Sequence, residues 1–161
     1  MRFEVINLRE IKFRGIPADK SVTPNSNWEY GGINSDRTMI VGGIILTVIH
    51  PETIGEFTGI LDIEGKEIFE GDIVKPFHPF IPATLKTVEY TTIRGCGFML
   101  KSHGKNENLY YEIPTKYDPD NDLMIAEITV VGNIHQNPEL IFNQGKSIRS
   151  SGGGQDDNFD L

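Results

Sequence analysis

Apolar residues in this chain come in short runs, and where they alternate with polar ones the period is two, as on a strand with one face buried. In residues 9–14, Ile11 and Phe13 alternate with Glu10, Lys12 and Arg14, which predicts a strand turning Ile11 and Phe13 inward. Gly15 and Pro17 stop it, and 18–27, polar and containing Pro24, reads as a loop. Trp28-Glu29-Tyr30 predicts a short aromatic strand closed by Gly31-Gly32. The most apolar stretch, 39–49, contains Gly42-Gly43 and predicts a buried strand or strand pair. It is too short to cross a bilayer, which takes about 20 residues.

Pro51 and Gly55 bracket a single helical turn, Pro being favoured at its start and Gly at its end. Extended structure resumes at 57–63. Glu64-Gly65 then marks a hairpin, although Glu tolerates positive φ poorly. Gly71-Asp72 turns the chain again before 73–75. Pro76, Pro79 and Pro82, with Phe77, His78 and Phe80 among them, predict an irregular loop, because repeated prolines cannot serve a central strand. Strands follow at 84–93, 96–101 and 109–113, the last ended by Pro114. The longest is 123–134, with Met124, Ala126, Ile128 and Val130 on one face. Residues 137–142 suit one more helical turn, and no segment sustains a 3.6-residue apolar period. The fold class is therefore all-β, with one or two short helical turns.

The 17 Gly and nine Pro stand singly between apolar runs, the punctuation of a turn-rich β-protein. The 161 residues divide into a β domain over 1–143 and a tail over 144–161. The domain comprises an N-terminal strand and loop segment, 1–50, and a core from about 51. In the tail, 150–154 is a Ser/Gly linker and 156–161 an acidic end. Phe159 and Leu161 are expected to dock that tail, on a neighbouring subunit.

A net charge of −8 disfavours duplex nucleic acid, whose binding is mostly phosphate neutralisation. The basic groups, Arg9, Lys12 and Arg14, then Lys101 and Lys105, read as scattered solvated charges. The lone Cys96 cannot form an internal disulfide, which fits a reducing bacterial cytoplasm, and its Gly-Cys-Gly setting suits a small buried hydrophobe. Met1-Arg2-Phe3-Glu4 lacks an apolar signal core.

Asp118, Asp120 and Asp122 have the alternate spacing that opens a Ca²⁺ loop, but Leu123 and Thr129 stand where Gly and a bidentate Glu are needed, so a solvated turn is expected. His50, His78, His103 and His135 lack zinc-ligand spacing. His78 and His103 read as exposed loop residues, His50 and His135 as packing or turn residues. No nucleophile elbow, phosphate loop or metalloprotease motif occurs. No catalytic, cofactor or metal residue is assigned, and the chain is expected not to be an enzyme. Phe13, Trp28, Tyr30, Phe57, Phe69, Phe77 and Phe98 suit core packing better than a platform for single-stranded nucleic acid. A carboxylate-dependent enzyme is a further alternative, recognisable by a deep pocket with converging Asp or Glu.

Several segments together resemble the YopX family. Residues 9–15 look like its opening strand, and Trp28-Glu29-Tyr30-Gly31 like its next aromatic segment. The strongest likeness runs from Pro51-Glu52-Thr53-Ile54-Gly55 through Gly71-Asp72-Ile73-Val74-Lys75, and 131–141 resembles the closing signature. Glu64 departs from the Asn or Asp usual before the hairpin Gly. The resemblance implies a phage or prophage origin and a small SH3-like barrel with additional strands. It supplies no catalytic residues. Gly59, Gly65, Gly71, Asp72, Gly132 and Pro138 are the turn residues of this pattern. A non-enzymatic module that self-associates and binds an unidentified host or phage protein is expected, away from membranes.

Overall fold

Glycine decides where the middle of the chain folds back, at Gly65 and Gly71, and where a strand loses its regular register, at Gly59. Gly59, Gly65 and Gly71 have φ of 83°, 82° and 84° in the computed structural model of the protein, a region that side chains with a Cβ rarely enter. The structure describes residues 10–19, 28–42, 45–93, 95–104, 107, 109–121 and 123–142. Phe159 and Leu161, Arg9, Lys105 and most of the loop at 18–27 lie outside the described residues.

The strands are β1 (Phe13–Gly15), β2 (Glu29–Ile33), β3 (Met39–Gly42), β4 (Ile45–Val48), β5 (Gly55–Leu61), β6 (Glu67–Phe69) and β7 (Asp72–Pro76). Next come β8 (Lys86–Thr91), β9 (Gly97–Lys101), β10 (Tyr110–Glu112), β11 (Thr115–Asp118), β12 (Leu123–Ala126) and β13 (Ile128–Asn133). A 3-10 turn over Pro51–Thr53 and one helical turn, α1 (Glu139–Phe142), complete the described elements. The protein is mainly β, as the pattern predicts. The strands form two open sheets, one of eight strands ordered β11-β12-β5-β1-β2-β3-β4 with β6 on β5, the other of five ordered β10-β9-β8-β7-β13. No closed barrel is formed among the described residues. Nor is any helix there long and apolar enough to cross a membrane.

The main apolar cluster belongs to the five-stranded sheet and its cover: Val74, Val88, Leu100, Ile128 and Val130, with Ile68 and Ala126 from the other sheet. The predicted long strand at 123–134 breaks at Glu127 and changes sheet there, β12 joining β5 and β13 joining β7. Alternation continues across the break, since Ala126, Ile128 and Val130 are all buried, while Met124 is exposed. The 39–49 stretch is a hairpin of β3 and β4. It is less buried than its composition predicts: Ile40 is enclosed, but Ile45, Leu46 and Val48 are each more than half exposed at the sheet's end.

Glu64 does not need positive φ after all. Gly65 N–H donates to the Asp62 carbonyl at 3.0 Å, and Gly65 alone takes the left-handed position. The buried Asp62 carboxylate accepts from Glu64 N–H and Lys66 N–H, both at 2.9 Å, and from Val130 N–H at 3.0 Å. One side chain thus shapes a turn and ties it to β13 in the second sheet. At the chain's other signature, a Cβ on Gly132 would meet the Asn137 side-chain oxygen at 2.7 Å. Pro138 opens the final turn, its carbonyl accepting from Ile141 N–H and Phe142 N–H.

Candidate functional site

Arg14 overturns the reading of the first basic cluster as solvated. It is buried, and its guanidinium donates to Asp72 Oδ1 at 2.5 Å and to the Glu70 carbonyl at 3.4 Å. The rings of Trp28 and Phe69 lie 4.4 and 4.8 Å from its central carbon. Asp72 Oδ2 accepts Phe69 N–H at 2.9 Å. Burial raises the Asp72 carboxyl above its ordinary value despite Arg14 and the Phe69 amide, which pull it down. Lys12 is paired too, with Glu67. Ile11, predicted inward, is 71% exposed, because the ion pair turns the opposite face of this strand into the molecule. The Arg14–Asp72 contact is a fastening between β1 and β7.

Free space lies beside β10. A groove of about 560 Å³ is lined on one flank by the consecutive residues 110–115 and on the other by His78, Phe80 and Ile81 of the proline loop. The loop turns at Pro79, where Ile81 N–H donates to the His78 carbonyl at 3.1 Å, and this presents Phe80 with 85% of its surface exposed. Such a turn suits Pro at its second position. The loop's return is held by Lys86, a fully buried ammonium that donates to the Pro82 carbonyl at 3.3 Å and the Thr84 carbonyl at 3.0 Å, and also to the Thr84 hydroxyl. Burial lowers its pKa.

Polar contacts fix the other flank. Tyr110 O–H donates to Glu89 at 3.2 Å, and Lys101 pairs with the same carboxylate at 2.8 Å, which raises the Lys101 pKa. Glu112 is exposed at the groove and enters no ion pair among the described residues. Glu127 stands 3.9 Å from the His78 imidazole. The groove therefore combines aromatic walls with carboxylates, whereas its nearby ammonium groups are already engaged.

His78 and His103 are half-buried rather than exposed. His103 Nε2 bonds the Thr87 hydroxyl, and burial, then Lys101 and Lys86, lower its pKa. His135 packs edge-on against Trp28, its pKa lowered by burial and then by Arg14. Cys96, expected buried, is exposed, because Gly95 with φ of 119° carries the β8–β9 connection outward. In the predicted solvated turn, Asp118 accepts from Asp120 N–H and from the Asn121 side chain, an ordinary Asx turn.

A second cavity, about 410 Å³, lies between Phe13, Ile33, Arg37, Glu56, Glu70 and Tyr90. Its two carboxylates are half-buried and share it with a guanidinium. The groove by β10 was not singled out from sequence. The signal on offer was the pairing of a proline loop rich in aromatics with the Tyr110-Tyr111 strand.

A family model described as "YopX protein" matches residues 12–142. The crystal structure of protein EF1440 from Enterococcus faecalis is similar over 83% of this chain and 99% of its own, at 21% identity and a TM-score of 0.40. No curated protein matches.

Proposed function

The chain belongs to the YopX family, and from that premise we propose that it is a non-enzymatic protein-interaction module whose contact surface is the groove beside β10. The observation that carries this reading is the juxtaposition of an exposed Phe80 with an aromatic cleft at a sheet margin. Exposed aromatic anchors beside a pocket are what protein interfaces use. The module works in a bacterial cytoplasm, in keeping with a phage or prophage origin, and its core is an opened form of the SH3-like barrel. Self-association belongs at the start of β4, at the far end of the other sheet, where Ile45 and Leu46 are exposed and apolar, the Val48 end of the strand being already bonded to Ala18.

Single-stranded nucleic acid is the weaker reading, because Glu112 and Glu127 would face phosphates while Lys101 is engaged by Glu89. A carboxylate-dependent enzyme would use the Glu56–Glu70 cavity, where Arg37 supplies a fixed positive charge. Neither has an observation as direct as the exposed Phe80.

A photo-crosslinking residue at position 80, compared with one at the exposed Tyr117 on β11, tests the proposal in nuclease-treated host extract. A protein adduct from position 80 and none from position 117 is expected. Adducts formed equally at both positions, or a position-80 adduct found only with nucleic acid when nuclease is omitted, would overturn it.

A further inference from the structure

The groove runs beside a strand that has a partner on one side only. β10 ends its sheet and pairs with β9, Tyr110 opposite Lys101, Tyr111 opposite Leu100 and Glu112 opposite Met99. Just before it, Ser102 N–H donates to the Leu109 carbonyl at 2.9 Å, making those two a hydrogen-bonded pair. Antiparallel pairs alternate between bonded and non-bonded. Tyr111 is therefore bonded to β9, while the N–H and C=O of Tyr110 and Glu112 point away from it, to the open margin. Among the described residues no strand takes them up.

The two faces of that margin differ chemically. Tyr111 packs with Ile81 and Ile113 against the main apolar cluster. Tyr110 and Glu112, the alternate residues, lie on the opposite face, with Glu89 and Lys101 as neighbours. A strand laid along β10 would meet apolar surface with one set of side chains and the Glu112 carboxylate with the other.

We propose that this groove takes up an extended peptide as an added strand on β10, and that the peptide alternates apolar residues with Lys or Arg. The inference rests on the interaction-module reading and names its partner class. Main-chain bonds to Tyr110 and Glu112 supply affinity, and alternate side chains supply selectivity, as in other strand-addition sites. The apolar set faces Tyr111 and Ile81. The basic set faces Glu112, the Tyr110 ring beside it being already covered by Lys101. Charge decides the occupant. With a net charge of −8 the molecule attracts basic segments, whereas its own Asp156, Asp157 and Asp160 would set carboxylates against Glu112.

Three short synthetic peptides, alternating Val with Lys, Val with Ser or Val with Glu, provide the test with the full chain. The Val-Lys peptide is expected to bind about tenfold more tightly than Val-Glu, the ratio given by an attraction in one and a repulsion in the other of about 0.7 kcal/mol each. Its binding should slow amide exchange at Tyr110 and Glu112, and N-methylation of its alternate amides should abolish it. Glu112→Lys should shift the preference toward Val-Glu. Equal affinities for the three, unprotected amides at Tyr110 and Glu112, or indifference to N-methylation would overturn the inference. If those results came with a protein adduct from position 80, the interaction-module reading would survive them. Loss of that adduct would end both.

Discussion

Among the described residues two cations are buried, Arg14 at the centre of the eight-stranded sheet and Lys86 at the start of β8 in the five-stranded one. Arg14 reaches a carboxylate 58 positions away and lies against two aromatic rings. Lys86 hydrogen-bonds neutral oxygens two and four positions before it, and its only aromatic neighbour among the described residues is the Tyr111 ring, 5.7 Å away. A guanidinium offers a planar fork and an aromatic-stacking surface, and an ammonium a compact point charge with rotatable donors. The first joins distant parts of the chain. The second closes a local loop, and that loop is the wall of the groove. One buried charge holds the fold, and the other shapes the site.

The sharpest way to break this contrast is to remove each cation in turn. Arg14→Leu leaves Asp72 buried without its counter-charge and is expected to cost about 3–5 kcal/mol in urea denaturation. A loss below about 1 kcal/mol would make Arg14 no more than a surface charge with a good view of Trp28. The loss should also depend on pH. Burial already raises the Asp72 carboxyl above its unfolded value, and Arg14 opposes that rise. Without Arg14 the folded pKa goes higher still. A raised folded pKa gives stability that is complete below the unfolded pKa and is lost as pH rises through the folded one. Arg14→Leu should therefore be relatively less damaging in acid than at neutrality. Arg14→Lys should fall between the parent and Arg14→Leu, since it restores charge without the fork or the stacking.

Lys86→Met should behave differently. Lys86 has no ion-pair partner among the described residues, so its burial carries a desolvation cost that an apolar side chain of similar length does not. The Pro82 and Thr84 oxygens it abandons belong to exposed residues and can take water. Stability should thus hold or rise, while affinity for the Val-Lys peptide falls because the proline loop loses its tether. Equal losses of stability in the two variants would erase the distinction between fold anchor and site anchor.

What could be read from sequence follows the same division between local and distant causes. Gly65 and Gly71 were legible because a tight turn with positive φ is a local demand, whereas Gly59, also expected at a turn, lies within β5 at a break in its register with β6. The β3–β4 hairpin was legible as a strand pair, but its exposure was not, because exposure depends on what lies beyond the last strand. Alternation through Met124, Ala126, Ile128 and Val130 tells which side faces inward and carries no mark of the change of sheet at Glu127. β11 was missed because Thr115, Lys116 and Tyr117 are exposed and show no apolar face. Arg14 looked solvated because its partner Asp72 lies far along the chain, and the groove was hidden for the same reason, being assembled from 78–81 and 110–115.

The two cations also have separate reporters, which gives the smallest and most discriminating test. Burial lowers the pKa of both His135 and His103; beyond burial, Arg14 depresses His135, whereas Lys101 and Lys86 depress His103. For each, a depressed folded pKa means stability that is present above the unfolded value of about 6.5 and is lost as pH falls through the folded one. Both histidines therefore contribute to a decline in stability below neutrality. Proton NMR of the imidazoles should show Arg14→Leu raising the pKa of His135 and leaving His103 in place. Lys86→Met should raise the pKa of His103 and leave His135 in place. If either substitution moved both histidines, the two buried charges would belong to one electrostatic unit, and the loop that Lys86 holds would answer to the same centre that fastens β1 to β7.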